Sequence, residues 1–178
     1  MFPLLETDRI LMREITNNDI DDMYCYYSNT IMMKYTKTNP HQSKEETLAR
    51  IIKLSNSFKN NKGIAWAIES KTEKRVIGDI GLYYITADHK KAGVGFNIAQ
   101  EYWNNGYGTE ALIMVLNYAV YELNIQDIEA TCKIDNIASA KVMEKAGMKY
   151  DGTFSKYSNK VEKNIEVKKY SFINNKQN

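Results

Sequence analysis

The chain has 178 residues, with 24 Lys and Arg against 22 Asp and Glu, for a formal charge of +2. That length predicts one domain spanning 1–178. The near-zero balance gives no reason to expect nucleic acid or a membrane surface as partner. Two cysteines and two histidines exclude a disulfide framework and a multi-histidine metal centre, so no metal is expected. No apolar run approaches the 18 or more residues of a membrane span. Glu6 and Asp8 stand where a signal peptide would be basic and then apolar, and a reducing cytoplasm is the simplest compartment.

Residues 9–15 alternate apolar and polar and predict a half-buried strand. Asp19, Asp21 and Asp22 suit the first turn of a helix whose apolar bulk is Met23, Tyr24, Tyr26 and Tyr27. Ser43 with Glu46 spells a capping box, and Leu48, Ile51, Ile52 and Leu54 follow at helical spacing. Three strands come next, at 64–70, 75–85 and 92–99, joined by short polar links that suit hairpins. A long helix runs from about Gly106 to Leu123, with Leu112, Val115, Leu116, Ala119, Val120 and Leu123 as one stripe. Ile113 and Met114 widen that stripe and predict burial on more than one side. A strand at 127–133, a helix at 136–146 ended by Gly147, and two last strands complete the chain. The order is β-α-α-β-β-β-α-β-α-β-β. It predicts an α/β, more strictly α+β, fold. The sheet would be mixed, mostly antiparallel and seven-stranded, with helices on both faces. The fourth and fifth strands, joined by the long helix, should run parallel.

The chemistry concentrates in GFNIAQEYWNNGYGTEALIMVL, residues 95–116. A strand leads through Asn104, Asn105, Gly106, Tyr107, Gly108 and Thr109 into the long helix. Two glycines let the backbone lie close to a ligand. The first helical N–H groups have no internal acceptor, so the segment can cradle a phosphate or pyrophosphate. Gly106, Gly108 and Ala111 also fit the dinucleotide spelling G-x-G-x-x-A. Against that reading, AQEYWNN separates strand from glycines, Asp127 opens its strand, and there is only one crossover.

YWNNGYGTEAL resembles the acetyl-coenzyme A loop of the GNAT N-acetyltransferases, and within them the ribosomal-protein N-terminal acetyltransferases of the RimJ/RimL type. That branch reads W-G-x-G-Y-A-T-E-A. Trp103, Gly106, Tyr107, Thr109, Glu110 and Ala111 match, while Asn104 and Gly108 depart. LETDRILMREI (5–15) resembles the branch's opening strand. DNIASAKVMEKAGM (135–148) resembles a later segment through Asn136, Ser139, Lys145 and Gly147.

The resemblance implies transfer of an acetyl group from acetyl-CoA to a primary amine by direct attack on the thioester. It implies a fourth strand bulged at Gly93 and Gly95 and splayed from the fifth. Backbone groups of Phe96, Asn97 and Ile98 would then bond pantetheine, and residues Asn104 to Thr109 the pyrophosphate. Asn136 would bond the pantetheine arm, although it also reads as a helix cap. Ser139 would help protonate the leaving thiolate, because Met143 occupies the position of the family's usual tyrosine. Lys145 could meet a coenzyme A phosphate. The branch's glutamate base falls at Gly93 and is absent. Asp79 is an alternative base, though a single aspartate there reads more simply as structural. His41 and His89 read as solvated loop residues, and Cys25 and Cys132 as inert core thiols. The competing reading is a catalytically silent acyl-CoA-binding module. The amine acceptor stays open, as does the choice between monomer and homodimer.

Overall fold

The computed structural model describes residues 1–174. Its strands are β1 (Leu5–Glu6), β2 (Ile10–Glu14), β3 (Ile64–Ser70), β4 (Arg75–Ile85), β5 (Lys91–Ile98), β6 (Asp127–Lys133), β7 (Lys149–Ser158) and β8 (Lys163–Ile173). They form one eight-stranded sheet in the order β1-β2-β3-β4-β5-β6-β8-β7. Every neighbouring pair is antiparallel except β5 and β6, which run parallel as the crossover requires. The helices are α1 (Ile20–Tyr27), α2 (Thr30–Met33), α3 (Lys44–Lys59), α4 (Tyr107–Tyr121) and α5 (Ile137–Lys145).

Successive residues of a strand point to opposite faces, and that alternation sorts the helices. Ala67 and Asp79 are paired, and Asp79 meets Tyr26 and Tyr27 of α1. Trp66, one residue earlier, points the other way and meets Tyr118 of α4 edge-on at 5.5 Å. The helices therefore cover both faces, α1 on one and α4 on the other. The α4 stripe of Ala111, Leu112, Val115, Leu116, Ala119 and Val120 is buried. Each full-sized apolar side chain in it contributes roughly 1.5–3 kcal/mol. Gly147 ends α5 as expected, with φ +89°. The Met148 N–H closes back on the Met143 carbonyl at 3.0 Å.

Several expectations need correcting. The sheet has eight strands because Leu5–Glu6 adds an edge pair too short to show alternation. The added helix α2 is a single turn, capped by Asn29, whose Oδ1 accepts from Ile31 and Met32 N–H. The Ser43 capping box does not form, because the Glu46 carboxylate takes the Gln42 N–H at 3.0 Å instead. Ile113 is exposed, so α4 buries one broad side only. The bulge expected in β5 at Gly93 and Gly95 is not there; the register shift falls on the neighbouring strand β4. Leu82 pairs with Val94 and Tyr84 with Gly93, so the extra residue is Tyr83 of β4. Cys25 is exposed, because Met23, Tyr26 and Tyr27 supply the buried face of α1. Cys132 is buried, and burial pushes its thiol up, away from reactivity. His41 is not simply solvated. Its ring stacks on Tyr27 at 4.7 Å and its Nδ1 lies 2.8 Å from the Thr47 hydroxyl.

Candidate active site

The site begins where the parallel pair stops. β5 and β6 pair only through Lys91–Asp127, Ala92–Ile128 and Gly93–Glu129. Beyond Gly93, β5 follows β4 to Ile98 while β6 follows β8 to Lys133. A wedge therefore opens between them. The Ala99 N–H donates to the Ile77 carbonyl at 2.8 Å. In an antiparallel pair the bonding direction alternates, so Asn97 also faces β4, whereas Phe96 and Ile98 turn their backbone groups to the wedge. The Ile98 carbonyl is already taken by the Trp103 indole N–H at 2.7 Å. Of the three expected pantetheine residues, Phe96 and Ile98 keep N–H groups directed at the wedge. Asn97 does not: its backbone pairs with β4, and its side-chain amide donates to Asp79 at 3.1 and 3.2 Å.

The expected phosphate cradle lies at the end of the same strand. Asn104 (φ 63°) and Gly106 (φ 83°) take left-handed conformations that turn the chain into α4. The Glu110 N–H is bonded to the Gly106 carbonyl at 3.0 Å. The N–H groups of Tyr107, Gly108 and Thr109 therefore precede the first helical bond and remain available at the positive end of α4. Gly108 is buried, and a Cβ there would meet Ile98 Cγ1 at 3.5 Å, so the helix start rests directly on the end of β5.

Two residues from the opposite end of the chain brace this loop, and sequence reasoning missed both. Arg9 donates from Nη1 to the Asn105 carbonyl at 3.0 Å and from Nε to Glu110 at 2.8 Å. Its guanidinium also lies over the Tyr107 ring, 4.6 Å from the centroid. The Thr7 hydroxyl bonds the other Glu110 oxygen. Glu110 is thus neutralised by partners on β2's approach, which removes a repulsion that a bound phosphate would otherwise feel.

Across the wedge, Asn136 caps α5, and its Oδ1 accepts the Ser139 N–H at 3.1 Å. The cap reading of Asn136 holds, and its amide nitrogen has no partner in the described protein. The Ser139 hydroxyl is likewise without a protein partner. Met143 is buried in the core. Lys145 sits exposed in the last turn of α5, at the opposite end from Asn136.

The α1 face of the wedge carries two carboxylates. Asp79 is fully buried and accepts from Tyr26 (3.0 Å), Tyr27 (2.9 Å), Tyr83 (2.8 Å) and the Asn97 amide. Burial first, and Asp79 second, hold the Tyr26, Tyr27 and Tyr83 phenols well above their ordinary range. These phenols are donors, and a carboxylate that accepts from three of them and an amide is an anchor for the α1 face. The second carboxylate is Glu129, paired across the apex with Gly93. It accepts from the Tyr84 hydroxyl at 3.2 Å and is ion-paired to Lys169 at 2.5 Å. Lys169 holds its carboxyl below the usual range. α2 spans the mouth of the wedge on this face. Asn29 at its start donates to Gln100, just past β5, at 3.0 Å. Lys34 at its end offers its carbonyl to Lys133, the last residue of β6, at 2.7 Å.

Among the described residues no group of three His, Cys, Asp or Glu side chains could hold a metal. No described helix is long and apolar enough to cross a membrane.

A mixed sheet that splits between two parallel strands, with a glycine-turned helix start at the split, defines the acyl-CoA-dependent acetyltransferase class. The sequence profile of the acetyltransferase (GNAT) domain matches residues 9–149, and the chain belongs to that family. It is 32% identical over 157 residues to the uncharacterized N-acetyltransferase YoaA of Bacillus subtilis, covering 88% of this chain and 89% of that one. A GNAT-family acetyltransferase from Bacillus anthracis superposes with a TM-score of 0.85 at 24% identity, over 96% and 98% of the two chains. The ribosomal-protein-S5-alanine acetyltransferase of Vibrio fischeri superposes with a TM-score of 0.83 at 21% identity, over 99% of both. The protein is an acetyl-CoA-dependent N-acetyltransferase.

Proposed function

We propose that this enzyme acetylates a primary amine by direct attack on the acetyl-CoA thioester inside the wedge between β5 and β6. The observation that carries the reading is the three-pair limit of the β5–β6 ladder, which opens the sheet beside the start of α4. The N–H groups of Tyr107, Gly108 and Thr109, with the Asn104–Gly106 turn, would hold the pyrophosphate, each charge-assisted bond contributing roughly 1.5–3 kcal/mol. Phe96 and Ile98 would bond the pantetheine arm as a pseudo-strand. A β5 N–H would also stabilise the tetrahedral oxyanion. The free amide of Asn136 would reach the arm from the facing helix, and Ser139 would hydrogen-bond the leaving thiolate. Lys145 would serve a coenzyme A phosphate only if the ligand extends along α5.

The amine proton needs an acceptor, and Gly93 offers none. Glu129 is the ionised carboxylate paired with Gly93, so we assign it that role, directly or through water and the Tyr84 hydroxyl. The amine loses its proton, nitrogen bonds the acetyl carbon, and the tetrahedral intermediate expels the coenzyme A thiolate. The RimJ/RimL resemblance supports an α-amine on a protein N-terminus, in line with the named activity of the Vibrio fischeri neighbour. The deciding experiment is an acetyl-CoA turnover screen across peptide N-termini, amino acids, polyamines and aminoglycosides, reading free thiol. Turnover with one amine class is expected. Tight acetyl-CoA binding with no turnover on any class would favour a silent binding module.

A further inference from the structure

Five lysines lie in or near the Met33–Lys37 segment, which borders the mouth of the wedge on the α1 face. Lys133 donates to the Lys34 carbonyl at 2.7 Å. Lys160, in the turn between β7 and β8, donates to the Met33 carbonyl at 2.6 Å and the Thr36 carbonyl at 3.4 Å. The two ammonium groups are close enough that Lys133 helps depress Lys160, after burial. Lys37, three residues beyond Lys34, is depressed by local desolvation and then by Lys156 of β7. Lys133 and Lys160 are tied to the stretch from Met33 to Lys37, Lys156 is near enough to Lys37 to repel it, and the Lys34 ammonium lies 4.9 Å over the Tyr35 ring. None of the five forms an ion pair with a carboxylate of the described protein, and neither do the acids nearest in sequence, Asp135, Glu162 and Glu166. Neutral backbone carbonyls satisfy the hydrogen bonds of two of these lysines while leaving their charge uncompensated.

From this rim we propose that the acceptor is a primary amine on an anionic carrier, with two or more negative charges, from carboxylates or a phosphate, near the reacting nitrogen. The inference rests on the acetyltransferase reading and names its substrate class. A polycation such as spermidine would meet five like charges at the entrance, whereas an anionic carrier would replace the missing counter-charges and be steered in.

The test compares four amines with the intact enzyme: an acidic peptide with a free N-terminus, its neutral amide counterpart, O-phosphoethanolamine and spermidine. One anionic probe should exceed the neutral peptide and spermidine by about tenfold in kcat/KM, and the advantage should shrink as salt is raised. Which anionic probe wins identifies the carrier. Lys37 and Lys156 hold no backbone carbonyl, so the K37E/K156E variant should keep its melting temperature and acetyl-CoA KM and lose that preference. The K37Q/K156Q variant should lose part of it. Equal or better turnover of spermidine or the neutral peptide overturns the proposal, as does an unchanged preference in both variants. Binding of a C-terminally labelled acidic peptide to the CoA-loaded protein is measured in parallel. Charge-dependent binding without turnover would retain this inference and sink the transfer reading instead. Turnover without charge preference would do the reverse.

Discussion

The Tyr84 ring occupies the space that a side chain at Gly93 would need: a Cβ there would lie 2.1 Å from Tyr84 Cε1. The extra residue at Tyr83 sets Tyr84 opposite Gly93 and brings the Tyr83 ring close to Gly95. The glycine that stands where the resembled RimJ/RimL-type branch has a glutamate and the tyrosine that covers it are two parts of one arrangement. Gly93→Ala should therefore destabilise the fold by about 1–3 kcal/mol, the usual cost of overpacking. Denaturant unfolding measures this, and Tyr84→Ala in the same chain should relieve most of it. Gly93→Glu should lower turnover. A gain would mean that Tyr84 swings away freely and that the missing acid was the main limitation.

At the helix start, a Cβ on Gly108 meets nothing closer than Ile98 Cγ1 at 3.5 Å. Gly108→Ala should accordingly fold and bind acetyl-CoA with a small loss. Gly108→Glu places a negative charge among the N–H groups proposed to hold the pyrophosphate. It should weaken binding by at least about tenfold, or 1.4 kcal/mol. Calorimetry with both variants separates charge from bulk, and equal affinities would remove this loop from the site.

Much of this site could be read from local pattern, because the strand alternation, the Asn-Gly turn and the α4 stripe all lie within short windows. The brace could not: Arg9 and Glu110 are about a hundred residues apart, and an arginine followed by alternating residues reads only as a strand edge. Glycines at 93 and 95 read as a bulge in their own strand. The space proved to be filled by tyrosine rings from β4, so the bulge fell on the facing strand. The lysine contacts around α2 were invisible because their acceptors are backbone carbonyls, which leave no trace in residue identity. Asp79 did read as structural, but its three tyrosine donors lie on α1 and on its own strand, and only the fold gathers them.

Asn136 and Ser139 make a separable pair. Loss of the Asn136 cap should cost about 1 kcal/mol of stability whatever else the residue does. If its amide also holds the pantetheine arm, Asn136→Ala will raise the acetyl-CoA KM, whereas Asn136→Ser will restore the cap and leave KM high. Ser139 loses no cap when its hydroxyl is removed. Ser139→Ala should therefore reduce kcat by tens to about a hundredfold with little change in acetyl-CoA affinity. Near-normal kcat would assign the thiolate's hydrogen bond to solvent.

His41 links α3 to the Asp79 cluster through its stack on Tyr27. Burial, the main cause, holds its pKa below the ordinary value, with Arg50 adding to the effect and Glu46 opposing it. The unfolded chain binds the proton first, so this contribution to stability is complete above the unfolded pKa of about 6.5 and is lost as pH falls through the folded one. The melting temperature should thus fall between about pH 7.5 and 5.5 by more in the native chain than in His41→Gln. Parallel falls in the two proteins would exclude His41 from the acid response.

Glu129 gives the sharpest test of the proton path. As a base it must be ionised, so kcat/KM should rise with pH through its pKa. Lys169, its strongest partner, holds that pKa below the usual carboxylate range. The acid limb belonging to Glu129 should therefore lie below the ordinary glutamate range in the native enzyme, leaving the group ready at neutral pH. Lys169→Met removes the main cause of the shift and should move that limb upward without abolishing turnover. Glu129→Gln keeps the Tyr84 contact but cannot take a proton, and should lower kcat/KM by about a hundredfold at neutral pH, within the range for a lost general base. Tyr84→Phe should cost less, because water can replace its hydroxyl beside Glu129. If Glu129→Gln turns over normally and Lys169→Met leaves the profile unmoved, the proton leaves by a chain of water, and the apex carboxylate serves only to tie β6 to β4 and β8.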